Sequence, residues 1–309
     1  SFNISRQDVN QFGQLGKVGS MVLEAPTVST DTSYLVTNGF NERALGFYVQ
    51  TGAGSEGSFI SGHLNDGSGQ NIFIKTVGEG VDANGESAAA TDDVLGIGNA
   101  YLTDYSLDLS VGSLPTVSVS FEAANIQSSA GNSIGIPAVS QADGTAVAGT
   151  ASLPDAISGT SSTIALRPGD ITIDLDNVND QSIVDIGTAD NDSAHIQSAS
   201  LSIPLSRSPL ERLGTKFAYA RAVDFPVQAT LSVTAIVNEL KAQELTTIVD
   251  DESTKDVTLT LKDEAGNAAM IYKMKGAQIV SESFSSSIGS NKTVDLTFAT
   301  ALSGPNDTN

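Results

Sequence analysis

One segment of this chain occurs twice, and it constrains the fold more than any other feature of the sequence. Residues 100–121 (AYLTDYSLDLSVGSLPTVSVSF) align without gaps on residues 277–298 (AQIVSESFSSSIGSNKTVDLTF) at an offset of 177. The identical positions are Ala100/Ala277, Ser106/Ser283, Ser110/Ser287, Gly112/Gly289, Ser113/Ser290, Thr116/Thr293, Val117/Val294 and Phe121/Phe298. Apolar positions also coincide, as at Leu107/Phe284 and Val119/Leu296. The repeat predicts two related β domains, and internal repetition usually serves architecture.

Apolar and polar residues alternate along most of the chain, as in half-buried strands. Tyr105, Leu107, Leu109 and Val111 alternate with polar residues, Gly-Ser-Leu-Pro interrupts them, and the alternation resumes at 117–121. This pattern predicts a β-hairpin with one buried face. The second half repeats the alternation at Ile171/Ile173/Leu175, Leu201/Ile203/Leu205, Val257/Leu259/Leu261, Ile271 and Val294/Leu296/Phe298.

These patterns predict a mainly β fold of two related sandwich or barrel domains, each with a short flanking α-helix. We predict a first domain over 1–125 and a second over 164–309. Residues 126–163 are mostly small or polar and carry no basic residue, which is typical of a linker or extended arm. One segment, 235–245 (AIVNELKAQEL), has helical spacing of its apolar residues without Gly or Pro.

The charge of the chain limits its partners. Its 36 acidic and 15 basic residues give a net charge of −21, which argues against a duplex-binding surface because DNA affinity depends on Lys and Arg. Two interpretations stay open, solubility in a salty medium and a function that repels DNA. No apolar run approaches the ~20 residues that span a bilayer, and SFNISRQDVN has no signal-peptide character. We expect a soluble chain.

A long segment between Leu205 and Val227 combines basic and aromatic residues, the types enriched at protein interfaces. Its candidate interface residues are Arg207, Arg212, Lys216, Phe217, Tyr219, Arg221 and Phe225. We predict an assembly contact here, with an ordinary surface loop as the alternative. A weaker echo, Glu42-Arg43-Ala44-Leu45-Gly46 against Glu211-Arg212-Leu213-Gly214, predicts a corresponding loop in the first domain.

The residue types that enzymes need are scarce. There is no cysteine, and the two histidines are His63, in a Gly-rich turn, and His195, which we expect in an exposed turn. A Ser-His-Asp site is therefore a weak hypothesis. The cluster of Asp174, Asp176, Asn177, Asn179 and Asp180 could attract calcium but lacks the glycine and glutamate of an EF-hand. Carboxylate pairs for glycoside hydrolysis stay open, although the usual aromatic platforms are sparse. We predict no enzyme activity, no cofactor and no metal.

The second half resembles the major tail tube proteins of tailed bacteriophages. The resemblance lies in Ile196–Leu205 (IQSASLSIPL), in the Arg-containing segment with Asp224–Val233 (DFPVQATLSV), and in 276–298. The first half joins it mainly through 102–121.

The resemblance implies a tail-tube-type β-sandwich or barrel domain, whose hairpins join those of neighbouring subunits into a closed barrel around a lumen. Rings would stack into a tube through which DNA passes without specific binding, and other tail proteins would bind the tube ends. The protein would be made in the host cytoplasm and reside in the virion. Family rings are commonly six-fold, so two tube domains per chain imply three chains in a pseudo-hexameric ring. A hexamer with the first half as an outer decoration stays open. So do another surface or filament protein (an adhesin, pilus or S-layer subunit) and a carbohydrate-binding β-sandwich.

Overall fold

The structure is a computed structural model of the full chain. It describes residues 1–22, 25–50, 57–63, 69–80, 93–130, 134–153, 166, 171–175, 194–215, 217–218, 220–237, 254–263, 265–286 and 291–303. The chain is mainly β, as the alternating sequence pattern predicts. Within the described ranges, no helix is long and apolar enough to cross a membrane.

The described residues form 18 strands, one α-helix and one 3₁₀ turn. The strands are β1 Phe2–Asn3, β2 Arg6–Val9, β3 Gly19–Val22, β4 Thr27–Leu35, β5 Gln70–Thr76, β6 Asp93–Ser110, β7 Thr116–Ala123, β8 Asn125–Ala130, β9 Ile134–Gly135, β10 Thr150–Ala151, β11 Ile171–Leu175, β12 Ala194–Pro204, β13 Arg207–Leu210, β14 Ala220–Val223, β15 Val227–Val237, β16 Lys255–Lys262, β17 Ala268–Ser285 and β18 Thr293–Leu302. Helix α1 spans Phe40–Ala44, and a 3₁₀ turn spans Ser61–His63.

One large antiparallel sheet runs through both halves of the chain. Its strands follow the order β1-β4-β7-β6-β12-β15-β18-β17-β16-β11, and β5 and β8 also pair with β6. The long strands β6 and β17 each pair with different neighbours along their two ends. A single apolar core lies against one face of this sheet and includes residues of both halves.

Both copies of the repeated segment form hairpins, β6–β7 and β17–β18. In the first hairpin Tyr105, Leu107, Leu109 and Val117 are buried, so the predicted one-sided burial is confirmed along the strands, but it is wrong at Val111 beside the turn, which is 66% exposed. Ile271, which the alternation also selected, lies in β17 but faces outward at 53% exposure. Its neighbours Met270 and Tyr272 are buried instead, so the strand prediction is right and the face prediction is wrong.

The two hairpins pair in the same register. Leu102 faces Phe121 and Ile279 faces Phe298, and each of these positions is the first one plus 177. The register shifts coincide too, between Leu102 and Asp104 in β6 and between Ile279 and Ser281 in β17. A β-bulge re-aims the side chains that follow it, so both hairpins present their residues in the same way.

The correspondence extends to neighbouring strands at other offsets. Strand β5 pairs with β6 as β16 pairs with β17. Gln70 faces Ala100, and Lys255 faces Ala277, so these two strands match at an offset of 185 (255 − 70). A register shift follows Gln70 and Lys255 alike. Strand β4 pairs with β7 as β15 pairs with β18, with Thr30 and Leu231 matching (231 − 30 = 201). We call β4-β7-β6-β5 the first four-strand unit and β15-β18-β17-β16 the second.

Three further sequence predictions need correction. Much of the predicted linker is folded: β8 pairs with β6, β9 pairs with β10, and Ile134 is buried. Backbone hydrogen bonds to β6 compensate for the scarcity of apolar side chains in this segment. The predicted helix is wrong at its start, since 235–237 belong to β15, while its remainder lies outside the described residues. His195 lies in β12 rather than in a turn.

Candidate functional site

Strand β12 joins the two four-strand units, because it pairs with β6 of the first unit and with β15 of the second. Seven residues of β12, Ser198 to Pro204, face Ser110 to Asp104 of β6 in antiparallel register. Beyond the last pair, the Leu205 N–H donates to the Thr103 carbonyl at 2.9 Å. This β6–β12 joint makes one sheet of two halves that are far apart in sequence.

A second hairpin, β13–β14, continues from β12 and closes over the end of the joint. Its Arg207 side chain donates to three backbone carbonyls, Leu102 at 3.1 Å, Arg221 at 2.9 Å and His63 at 2.8 Å. Leu102 and His63 belong to the first half, whereas Arg221 belongs to the hairpin itself. A guanidinium has five donors in a fixed plane, so it can hold several acceptors at once. Arg207 therefore fastens the hairpin to the first half.

Arg221 strengthens the same attachment. Its guanidinium forms an ion pair with Glu122 of β7 and lies 5.8 Å from the centre of the Tyr101 ring. The Arg207 guanidinium lies 5.5 Å from the same ring centre. Tyr101 is buried, and both guanidinium groups lie close enough to its ring for cation–π attraction. The predicted interface segment thus contains two arginines that bind the chain's own first half.

The other candidate residues of this segment occupy different surroundings. Phe217 is buried, and its N–H donates to the Gln141 carbonyl at 3.3 Å. Phe225 packs against the common core. Arg212 is exposed beside the tip of the hairpin, where Leu213 is fully exposed. Lys216 and Tyr219 lie outside the described residues.

A matching hairpin exists in the first half, but the sequence echo at Glu42–Gly46 misplaces it. That segment includes helix α1. The matching hairpin is β2–β3, in which Arg6 faces Val22 as Arg207 faces Val223 in β13–β14, both at an offset of 201. Sequence reasoning missed it, although Ser5-Arg6 with Gly13 matches Ser206-Arg207 with Gly214. Both glycines adopt φ +90, a conformation that L-residues rarely adopt.

Apolar residues that are buried at the joint have exposed counterparts on β1 and on the second part of β17. Among the described residues, each of these two segments pairs with a strand on one side only. Ile203 of β12 is 6% exposed, whereas its counterpart Phe2 in β1 is 48% exposed. Leu107 of β6 is 0% exposed, whereas its counterpart Phe284 in β17 is 41% exposed. Val280 of β17 is exposed as well. These two strand edges therefore carry exposed apolar side chains, and the counterparts of Phe2 and Phe284 are buried at the β6–β12 joint.

Where β4, β7, β6, β12, β15, β18 and the second part of β17 lie side by side, the face of the sheet opposite the core is small, hydroxylic and acidic. Alternate residues of the paired strands form this surface, which we call the polar face: Ser29, Asp31, Ser33, Asp104, Ser106, Asp108, Ser118, Ser120, Ser198, Ser200, Ser202, Thr230, Ser232, Thr234, Ser281, Ser283, Ser285, Asp295 and Thr297. Every charged member of this set is acidic. The first part of β17 differs, because Ile271 and Lys273 are exposed on its outward side. Thr234 and Ser283 donate hydrogen bonds to Asp295, at 2.7 Å and 3.5 Å. Burial raises the pKa of Asp104. Such a surface repels phosphate groups.

Buried polar groups cluster on the core side. The Glu42 carboxyl is fully buried and accepts a hydrogen bond from the Tyr34 hydroxyl at 3.1 Å. Desolvation raises the pKa of Glu42, and hydrogen bonding partly opposes the rise. The Tyr105 and Tyr272 hydroxyls form a 2.8 Å hydrogen bond that links the two halves, and burial raises the pKa of both. The tyrosine pair therefore links the two halves, whereas the bond between Tyr34 and Glu42 lies within the first half.

His63 is also buried, next to the Phe47 ring, with ring centres 4.6 Å apart. Desolvation, with the positive charge of Arg207 as a second cause, lowers the pKa of His63 to about 4. Its Nε2 makes no hydrogen bond to any residue that the structure describes. A neutral imidazole in apolar surroundings suits a packing role.

An apolar cavity of about 550 Å³ lies between the first half's Tyr48–Val49 and Phe59–Ile60 and the second half's sheet. Leu259, Met270 and Tyr272 contribute to its wall. The cavity follows the seam between the halves.

The described residues include no group of three or more His, Asp or Glu side chains that could hold a metal ion. Of the proposed calcium cluster, Asp174 lies in β11 and 176–180 fall outside the described ranges. The sequence prediction of no metal at this cluster therefore stays a prediction.

No protein-family model matches the chain, and no curated protein matches it in sequence.

Proposed function

We propose that this chain is a structural virion protein that assembles into stacked rings and forms the hollow tail tube of a tailed bacteriophage. The observation that carries the proposal is the matching register of the two four-strand units, including their bulges. The two units lie side by side in one sheet through β12, and this arrangement offers a joint that further copies can repeat. Together with the sequence resemblance, this favours two related tube domains per chain and no enzymatic role.

The direction of the joint supports a ring. Strand β6 of the first unit pairs with β12, which leads into the second unit, so the contact is heterologous. Heterologous contacts repeat head to tail and generate rings if the rotation closes. A barrel closed in this way leaves no free strand edges. Because both units share one sheet, we favour three chains per ring over six chains with the first half as an outer decoration.

The polar face is the proposed lining of the lumen. DNA passing through a tube must not adhere to its wall, and serine, threonine and aspartate side chains provide no cation for a phosphate. The acidic residues Asp31, Asp108 and Asp295 are exposed on this face. The net charge of −21 then reflects, in part, a surface that repels the cargo.

The tips of hairpins β2–β3 and β13–β14 are the proposed contacts between stacked rings. These tips carry the fully exposed apolar residues Phe12, Leu15 and Leu213, which a neighbouring ring would cover. Replacing Phe12 and Leu213 with aspartate should leave single rings intact and prevent long tubes. Tubes of normal length from that variant would contradict this assignment.

Negative-stain microscopy and native mass spectrometry of the purified chain test the proposed function. We expect hollow rings with six-fold features built from three chains, and tubes of stacked rings at higher concentration. Six chains per ring would favour the outer-decoration arrangement. Solid filaments would favour a pilus or S-layer subunit. Dispersed single chains that bind glycans would favour a carbohydrate-binding protein.

A further inference from the structure

We propose that hairpin β2–β3 is a clasp for a second copy of this chain, with Arg6 as the residue that fastens it. The proposal rests on the proposed function and assigns the contact between adjacent chains residue by residue. The partner's surface is the outer edge of β17, from Ile279 to Ser285. Inside the chain, the matching clasp is β13–β14 on β6.

The correspondence of positions gives the register of this contact. At the β6–β12 joint, Ile203 faces Tyr105 and Pro204 faces Asp104. Subtracting 201 from a β12 position gives its counterpart in β1, and adding 177 to a β6 position gives its counterpart in β17. Phe2 then lies opposite Glu282 of the adjacent copy. Asn3 likewise lies opposite Ser281. The Leu205-to-Thr103 hydrogen bond becomes one from the Ile4 N–H to the Val280 carbonyl.

Arg6 then occupies the place that Arg207 holds within the chain. Arg207 donates to the Leu102 carbonyl at the bulge of β6, and the matching acceptor at the bulge of β17 is the Ile279 carbonyl. A second Arg207 bond goes to Arg221 within its own hairpin, and Ser20 is the matching acceptor for Arg6. Arg6 is exposed in the single chain, so its guanidinium is accessible to a neighbour.

Burial supports a second copy as the occupant. The contact would cover Phe2 of β1, Val22 of the clasp, and Val280 and Phe284 of β17, all of which are exposed. The intrachain counterparts of Phe2, Val22 and Phe284 are Ile203, Val223 and Leu107, and all three are buried. The same backbone contact that hides these counterparts would hide the exposed set.

Disulfide trapping tests the register, and the absence of native cysteine makes it clean. Facing residues of antiparallel strands have Cα atoms about 4.5–5.5 Å apart, within the range that a disulfide needs. The variant with Asn3→Cys and Ser281→Cys should form interchain dimers and higher oligomers on oxidation. The pair Asn3→Cys and Ser285→Cys, displaced by about 13 Å along the strand, should not. The pair Ser106→Cys and Ser202→Cys, which face each other within the chain, provides the positive control.

Three outcomes are distinguishable. Interchain cross-linking that is specific to the 3/281 pair supports the clasp. If this cross-link forms but no hollow tubes do, the clasp stands and only the proposed function fails. Tubes that form without the 3/281 cross-link, while the intrachain control reacts, overturn the clasp and leave the proposed function standing. Equal cross-linking by the 3/285 pair also overturns the clasp.

Arg6→Ala tests the fastening residue. We expect the concentration needed for assembly to rise about tenfold, as for the loss of one charge-assisted hydrogen bond, with the thermal midpoint of the single chain unchanged. Arg43→Ala removes another exposed cation of the same half and should leave assembly unchanged. An unaltered threshold for Arg6→Ala would overturn the role of Arg6.

Discussion

Replacing Arg207 with alanine should destabilise the single chain by about 3–5 kcal/mol. Its side chain donates to three carbonyls at 2.8–3.1 Å and lies 5.5 Å from the Tyr101 ring centre. Hydrogen bonds to a charged group contribute about 1.5–3 kcal/mol each. The sum overestimates the loss because the site is only partly buried and water can replace some of the bonds. Arg207→Lys should lose about 2 kcal/mol, since one ammonium group cannot span three separated carbonyls.

Urea unfolding followed by circular dichroism measures this loss. The protein concentration must be low enough that light scattering shows only single chains, because assembly would stabilise the folded state by mass action. The midpoint should fall for Arg207→Ala with little change in slope. Arg43→Ala, at an exposed position, should stay within about 0.5 kcal/mol of the native chain. A loss below about 1 kcal/mol for Arg207→Ala, or a lysine variant as stable as the native chain, would refute the idea that this side chain fastens the two halves.

The remaining predictions concern pH, the contact between the halves and the polar face. The pKa of His63 falls to about 4 on folding, so the contribution of His63 to stability is fully present above pH ~6.5 and is lost as pH falls towards 4. His63→Phe should remove up to about 3 kcal/mol of this pH dependence. Unfolding midpoints measured across this pH range test the prediction. Burial raises the pKa of Glu42, so its contribution is fully present below pH ~4.5 and is lost as pH rises through the folded pKa; Glu42→Gln should flatten that loss, and an unchanged slope in the same titration would contradict it. Tyr272→Phe breaks the 2.8 Å bond to Tyr105 and should lower the free energy of unfolding by about 1 kcal/mol in urea titrations. Asp108→Lys on the polar face should leave tube formation intact and make the tubes retain DNA, as measured by filter binding at low and high salt; tubes that still release DNA freely would argue against this face as the lumen.

The sequence predicts the second hairpin of each half better than the rest because that hairpin keeps its length and its apolar alternation. Alignment at one offset finds residues 100–121 in residues 277–298. The match of β2–β3 to β13–β14 needs an offset of 201. Chain segments of different length separate the matching elements, so no single offset relates the two halves. Pairing register shows the relation because it depends on backbone geometry rather than on side-chain identity.

The candidate site was predicted only in part for a related reason. Composition identifies Arg207 and Arg221 as interface residues, since arginine and aromatic residues are enriched where surfaces meet. Composition cannot state which surface they meet, and in the structure both arginines contact the same chain. Arg6 was missed because few basic or aromatic residues surround it. Only its place in the hairpin, at the position of Arg207, identifies it.

The ion pair between Arg221 and Glu122 has a mechanical consequence for the proposed ring. The matching positions at the joint between chains are Ser20 and Ala299 (221 − 201 and 122 + 177), and these residues cannot form an ion pair. In the proposed ring, joints within chains would have this ion pair and joints between chains would lack it, so we expect the joints within chains to be stiffer. A ring under tension or bending would open at every second joint and release whole chains as intact two-unit blocks. The backbone of the proposed ring would then have six-fold regularity, while its resistance to fracture would have three-fold regularity.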